Sequence, residues 1–422
     1  MLGPLTTLKW FLHIRHLQKK LVTPDDIRAW QAGQLRQYLA RDLPRVGAYK
    51  AMKPQDISEL PLINKDAVLE NFEAYNRDKI PLGLVRKAAD ENTNLGRLHA
   101  GASTGTSGNR GYFLITNAER YRWLGVILAK TLPDILSKRR RVALALPSYT
   151  KLYDSAAKIG RINISFFDLS QGIDALIPKL AKFDPTTIVA PPRVLRALAE
   201  SATALAPQEL FSAAEVLDPQ DRHIIETRFG LTLREIYMAT EGLLGVSCAH
   251  GTMHLAEDAL YFEYLKPYGE DGLATLVHTD FTRSFQLMPR YQMNDLVQLA
   301  PTPCPCGSPL QAVTHIHGRA DDVFKFKAKS GAQIMVTPDI MRNAVVKTDS
   351  NITDFRIYQT GAKAVELVLP ALIGKQTTQA AAKNLALALE TLGATPHITL
   401  AQSELGFEPE GKLRRVICKS HD

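Results

Sequence analysis

From Glu119 to Ile236 the chain alternates short apolar runs with segments of helical spacing, and this alternation narrows the fold more than any other feature. Glu119 to Leu132 carries apolar residues at helical spacing. Val142 to Leu146 is an apolar run closed by Pro147. Ile162 to Phe167 reads as a strand, Gly172 to Lys182 as a helix, Thr187 to Ala190 as a strand closed by Pro191-Pro192, Val194 to Leu205 as a helix, and Leu231 to Ile236 as an apolar strand. Strands alternating with helices imply right-handed crossovers and a mainly parallel sheet. From Leu260 to Leu299 the pattern becomes strand after strand, with turns such as Tyr268-Gly269-Glu270-Asp271-Gly272, which predicts a smaller antiparallel section. Past His317-Gly318, Pro338 to Val346 and Thr377 to Leu392 predict helices, while Phe355 to Tyr358, Ala364 to Leu369 and Ile398 to Leu400 predict strands. The expected class is α/β, with a large N-terminal domain over residues 1–317 and a small α+β C-terminal domain over 318–422.

With 422 residues, 45% hydrophobic and 22% charged, the chain is long enough for two domains and too apolar to be disordered. The run Leu8 to Arg15 is too short and too interrupted by basic residues for a signal peptide or membrane span, and reads as an amphipathic first helix. Four cysteines with one close pair do not make a disulfide framework, so a reducing cytoplasm is expected. The net charge of +8 invites a nucleic-acid partner, but its distribution argues against one. The densest run, Lys138-Arg139-Arg140-Arg141, reads as the solvated end of a helix before a buried strand. Attraction for polyphosphate ligands is served equally well.

Ser103-Thr104-Gly105-Thr106-Ser107-Gly108, followed by Asn109-Arg110-Gly111, reads as a phosphate-holding loop. Its glycines let the backbone approach an anion, and its hydroxyls and N–H groups supply donors without a repelling charge. It lacks the second glycine and lysine of a Walker A loop, and taken alone it also reads as a flexible linker.

Four later stretches arrive with this loop in a recognisable order: Tyr237-Met238-Ala239-Thr240-Glu241-Gly242, Arg290-Tyr291-Gln292-Met293-Asn294-Asp295, Gly318-Arg319-Ala320-Asp321-Asp322 and Glu410-Gly411-Lys412-Leu413-Arg414-Arg415. Together they resemble, in order, the pyrophosphate loop, the Tyr-x-x-Thr-Glu, Arg-Tyr-x-x-x-Asp and Gly-Arg-x-Asp-Asp motifs, and the C-terminal Gly-Lys-x-x-Arg segment of the adenylate-forming superfamily. Leu60-Pro61-Leu62-Ile63-Asn64-Lys65 is similar to a leading segment of its phenylacetate–CoA ligase branch.

The resemblance implies that Lys412, on a mobile loop, neutralises charge at the α-phosphate of ATP. It further implies that Ser103 to Gly108 hold phosphates, Tyr237 presents an aromatic face to adenine, Thr240 a hydroxyl to the α-phosphate and Glu241 an oxygen ligand to Mg²⁺. Asp295 and Arg319 are implied ribose and nucleotide contacts, Glu215 an adenine-side residue, and Asp321 the hinge. A solvated basic tail is the alternative for Lys412, and an ion pair of Arg290 or Arg319 with Asp295 the alternative for those groups. Met238 stands where the family often has Gly, Ala213 replaces the Gly of Gly-x-Glu, and Arg110 takes the place of a lysine that commonly follows the loop. Ser148 and Tyr149, after a strand end, are candidates for a pocket edge.

Cys248, His254, Cys304 and Cys306 offer three thiolates and one imidazole, the donor set of a closed structural Zn²⁺ site. The alternative is a tight Cys-Pro-Cys-Gly turn with idle thiols. Similar clusters occur in the phenylacetate–CoA ligase branch.

The activity implied is an ATP-dependent acid–thiol ligase that forms an acyl-AMP and passes the acyl group to coenzyme A or a carrier phosphopantetheine. Expected partners are a small aryl or acyl acid and an acyl carrier protein; a homodimer is compatible with the sequence. Two other readings stay open: a nucleotidyl transferase resembling the ligase that adenylates the phenolic group of a deazaflavin coenzyme, and a nucleotide-binding scaffold without catalysis.

Overall fold

The computed structural model describes residues 2–103, 110–146, 158–159, 161–239, 242–266, 273–328, 330–349, 351–405 and 413–419. Helices α1 (Leu2–Lys20) and α2 (Pro24–Gln37) open the chain, the second set by a reciprocal capping box between Thr23 and Asp26. After a π-helical turn at Tyr38–Asp42 come the short helices α3 (Lys65–Glu70) and α4 (Leu82–Asp90). β1 (Asn94–Leu95), β2 (Leu98–Ala102) and β3 (Tyr112–Thr116) form a small antiparallel sheet, and the phosphate-loop sequence lies between β2 and β3. Thr116 and Glu119 cap α5 (Asn117–Thr131) reciprocally, and the Glu119 carboxylate also accepts from the backbone N–H groups of Ser284 and Phe285 at 2.6 and 2.9 Å. Against α5, helix α1 packs so closely that a Cβ at Gly125 would lie 2.5 Å from the Thr7 carbonyl oxygen. Only glycine permits that approach.

The alternation foreseen in the middle of the chain is present: β4 (Arg140–Leu144), β5 (Lys158–Ile159), β6 (Ile162–Phe166), α6 (Ile173–Phe183), β7 (Thr187–Ala190), α7 (Pro192–Glu200), β8 (Glu209–Ala213), α8 (Pro219–Phe229) and β9 (Leu233–Ala239). Strands β6, β4, β7, β8 and β9 run parallel in that spatial order. All four residues of β7 are buried, as a strand covered by helices on both faces requires. The basic run behaves differently from its sequence expectation at one position. Arg140 is buried in β4 with its guanidinium 2.7 Å from Asp134 and 2.9 Å from Gln208, because the strand begins inside the run rather than after it.

β10 (Gly242–Ser247), β11 (Met253–Leu255), β12 (Leu260–Leu265), β13 (Leu273–Asp280), β14 (Tyr291–Leu299) and β15 (Ala312–Arg319) are antiparallel. They continue the parallel strands through β9 and β10, so one 12-stranded sheet runs from β12 to β5. Its faces are filled by two apolar clusters, one including Phe11, Leu114, Phe211, Phe285 and Val297, the other Ala143, Ile188, Leu195 and Leu210. A third core forms beyond β15. It draws on β16 (Phe324–Lys327), β17 (Gln333–Val336), α9 (Pro338–Val346), β18 (Arg356–Gly361), β19 (Ala364–Pro370), α10 (Lys375–Thr391), β20 (His397–Ser403) and β21 (Val416–Cys418), and holds Phe324, Met341, Val345, Phe355, Leu385 and Val416. No helix among the described residues is long and apolar enough to cross a membrane.

Candidate active site

A parallel sheet leaves its ligand site beyond the carboxyl ends of its strands. Here that rule selects the ends of β7, β8 and β9. β7 stops at Pro191-Pro192, which start α7 and set Arg193 in its first turn. β8 turns sharply at Ala214, whose φ of 73° is left-handed and costly for a residue with a Cβ, and that turn places Glu215. β9 carries Tyr237 to its end. A cleft of about 1290 Å³ lies over these ends, reached also by Ser103, Asp295 and Arg319. From the third core, Leu413, Arg414 and Arg415 line the same cleft.

Within the cleft, the Tyr237 hydroxyl donates to Oδ2 of Asp295 at 2.7 Å, and Asp295 pairs across the β14–β15 ladder with Arg319. Tyr237 is 8% exposed, so its ring serves as packing as much as ligand surface. Arg319 reaches Asp321 at 2.9 Å, with both side chains about two-fifths exposed at 39% and 41%. Arg290 does not pair with Asp295. Its guanidinium forks onto Glu263 at 2.8 and 3.0 Å and donates to the Leu60 carbonyl at 2.6 Å, at a backbone φ of 52°. The Arg of that motif therefore anchors the segment before α3 to the sheet.

Glu215 is nearly buried. It lies 3.1 Å from Arg193 and accepts a 3.4 Å hydrogen bond from the Leu413 backbone N–H, so it holds the C-terminal segment to the cleft. Arg414 donates to Asp322 at 2.6 Å; burial pushes the Asp322 carboxyl up, and Arg414 opposes that shift. Asp218, at the head of α8, receives both Arg342 of α9 at 3.0 Å and Arg415. Ser103 closes the loop's base: its N–H donates to the Gly111 carbonyl and its hydroxyl accepts from the Gly111 N–H, each at 2.8 Å. Arg110 donates to the Ser103 carbonyl at 3.0 Å and pairs with Asp90 at 3.2 Å. Thr104 to Gly108, Ser148, Tyr149, Thr240, Glu241 and Lys412 lie outside the described residues.

The cysteine and histidine set is brought together. The ligand atoms of Cys248, His254, Cys304 and Cys306 all lie within 4.8 Å of one another, with Cys248 Sγ 3.9 Å from Cys304 Sγ and Cys306 Sγ 3.4 Å from His254 Nε2. His254 Nδ1 faces the Leu310 carbonyl at 3.1 Å, which directs Nε2 into the cluster, the arrangement found around metal-ligating histidines. Burial and the neighbouring Cys304 and Cys248 hold the Cys306 thiol up. Three sulfurs and one imidazole nitrogen at this spacing are the donor set that fits a tetrahedral Zn²⁺ site.

Sequence reasoning missed Arg193, Lys65 and the Asp218 cluster, all at or beside the cleft. Arg193 was within reach, because it follows the proline pair that closes a parallel strand.

No protein-family model and no curated protein matches the sequence. Solved structures do. 2-Hydroxyisobutyryl-CoA ligase in the postadenylation state, in complex with 2-HIB-AMP, superposes with a TM-score of 0.69 at 18% identity, covering 92% of this chain and 88% of that one. The fold is that of the adenylate-forming ligases. Against the same ligase in the thioesterification state with 2-HIB-AMP and CoA, the TM-score is 0.54 at 19% identity over the same shares, 92% and 88%. A benzoate CoA ligase from Burkholderia xenovorans LB400 superposes with a TM-score of 0.52 at 15% identity, over 72% of this chain and 65% of its own.

Proposed function

We propose that the chain is an ATP-dependent ligase that activates a small carboxylic acid. A carboxylate oxygen attacks the α-phosphorus of ATP, the bond to pyrophosphate breaks, and an acyl-AMP remains. The thiol of coenzyme A or of a carrier phosphopantetheine, deprotonated, then attacks the acyl carbon and AMP leaves. The observation that carries this reading is the convergence of Ser103, Glu215, Tyr237, Asp295, Arg319 and the segment after Lys412 on one cleft at the strand ends.

Positioning and charge neutralisation supply most of the catalysis in such transfers. In this reading the 103–108 loop holds phosphates, Asp295 accepts from the ribose hydroxyls, Arg319 presents its fork to the nucleotide, Thr240 donates to the α-phosphate and Lys412 meets the charge that grows there. Glu241 would hold Mg²⁺, which neutralises the phosphates when bound. The Cys248, His254, Cys304 and Cys306 set would hold Zn²⁺ as a staple between β10–β11 and the 304–307 turn. Residues 318–422 act as a mobile unit hinged at Asp321 on the 1–317 unit, and the better superposition on a postadenylation state supports an adenylation-side arrangement here. The four cysteines form no disulfide with one another, which suits a reducing cytoplasm.

The test is a product assay with ATP, a panel of aryl and short acyl acids, and coenzyme A. Acyl-CoA, AMP and pyrophosphate in equal amounts are expected. An AMP conjugate that accumulates on a phenolic acceptor, with no thioester from any acid, would assign a nucleotidyl transferase instead; ATP binding without turnover would assign a scaffold.

A further inference from the structure

His315 and His317 lie two residues apart on β15, and their rings meet edge to face with centroids 4.8 Å apart. Asp339, in the first turn of α9, comes between them: its Oδ2 is 3.8 Å from His315 Nε2 and its Oδ1 is 2.9 Å from His317 Nδ1. The closer contact is not aligned as a hydrogen bond. Both ring nitrogens of His317 and Oδ1 of Asp339 are shielded from solvent and form no hydrogen bond among the described residues. Left so, His317 Nε2 is desolvated with no compensating contact, while Nδ1 and Oδ1 meet only each other. His315 borders the nucleotide cleft, whereas His317 and Asp339 do not line it.

We propose that His315, His317 and Asp339 form a second divalent transition-metal site. Two imidazoles and one carboxylate select Zn²⁺, Co²⁺ or Ni²⁺ over Mg²⁺ and Ca²⁺, which prefer oxygen donors throughout. The three ligand atoms lie within 4.8 Å of one another. A cation holding each donor at about 2.0–2.2 Å keeps donors at most about 4.4 Å apart, so side-chain torsions close the set. The nearby Arg342 guanidinium lies 3.0 Å from Asp218, a carboxylate it shares with Arg415.

The site joins two cores. Val313 and Ile316, on the strand that carries the histidines, belong to the first; Met341 and Val345, on the helix that carries Asp339, belong to the third. A metal ion here bridges β15 to α9 and stabilises the arrangement described. The assignment does not depend on the ligase reading.

Protein preloaded with one equivalent of Zn²⁺, to fill the thiolate set, should be titrated with Co²⁺. One further equivalent is expected, with a cobalt K-edge absorption spectrum showing a nitrogen and oxygen shell with imidazole scattering, no sulfur, and a melting temperature raised by several degrees. The double variant His317→Gln, Asp339→Asn should bind that cobalt at least tenfold more weakly. A sulfur shell around cobalt, no binding beyond the first metal, or unchanged affinity in a folded double variant overturns the proposal. The absorption spectrum of the wild type decides the matter even where the variant does not fold.

Discussion

Tyr237 and Asp295, 58 positions apart, meet through a 2.7 Å hydrogen bond from the tyrosine hydroxyl to the carboxylate. The contact ties the end of a parallel strand to the antiparallel half of the sheet and fixes the direction in which Asp295 presents its other oxygen. Tyr237→Phe should raise the KM for ATP about tenfold, since a hydrogen bond to a charged group contributes about 1.5–3 kcal/mol and part of that is recovered by water. The value of kcat should change less. Pyrophosphate exchange at varied ATP checks it, and an unaltered KM would mean that Asp295 needs no orienting partner.

Lys412→Ala should lower acyl-AMP formation by about 10²–10³ with the circular dichroism spectrum unchanged, as loss of one contact to developing charge does. Its neighbours Leu413, Arg414 and Arg415 line the cleft. Wild-type pyrophosphate exchange in this variant would remove Lys412 from the mechanism.

Asp321→Pro fixes φ near −65° at the proposed hinge. One half-reaction should survive and the other fall, because each needs a different placement of the C-terminal unit. Equal loss of both in a folded protein, or full retention of both, would count against a hinge at this residue.

Metal analysis should give about one zinc per chain held by the thiolate set. Cys306→Ser should release it and lower the melting temperature, because binding at a structural site is folding energy. Cys418, which stands apart on β21, is the control: zinc lost from Cys418→Ser but kept by Cys306→Ser would relocate the site.

His278 predicts a limb of the pH–stability curve. On β13, its ring lies between those of Phe262 and Tyr291, and burial, with Arg283, lowers its pKa from 6.5 to about 3. Between those values the unfolded chain binds a proton that the folded chain refuses, so stability falls as pH falls below 6.5. The loss attributable to this residue approaches about 1.4 kcal/mol per pH unit and vanishes above neutrality. Urea unfolding at pH 7, 6 and 5 should show a shallower decline for His278→Leu, and parallel curves would mean that the ring protonates freely in the native state.

Elements set by local chemistry were legible in the sequence. Thr187–Ala190 is legible to the residue, because a β-branched, mostly apolar run meets a proline pair; Pro338–Val346 is equally legible. Elements set by distant partners were not. The continuity of the sheet rests on Met253 pairing with Val313, 60 positions on, and no periodicity announces that. The burial of Arg140 depends on Asp134 and Gln208 meeting it from two directions. Within the candidate site, motif spacing singled out Tyr237, Asp295 and Arg319, whereas His315 and His317 gained meaning only once α9 brought Asp339 between them.

Asp218 holds two guanidiniums at once, one from α9 and one from the residue just before β21, and is itself buried at the head of α8. Departure of either arginine alone would leave the carboxylate still bound to the other and the third core still moored. Separation therefore demands that both leave together, and with them the Glu215 contact to Leu413. If residues 318–422 swing as proposed, these contacts act in parallel: the loss of any one leaves the C-terminal core held by the others, and release needs all of them broken.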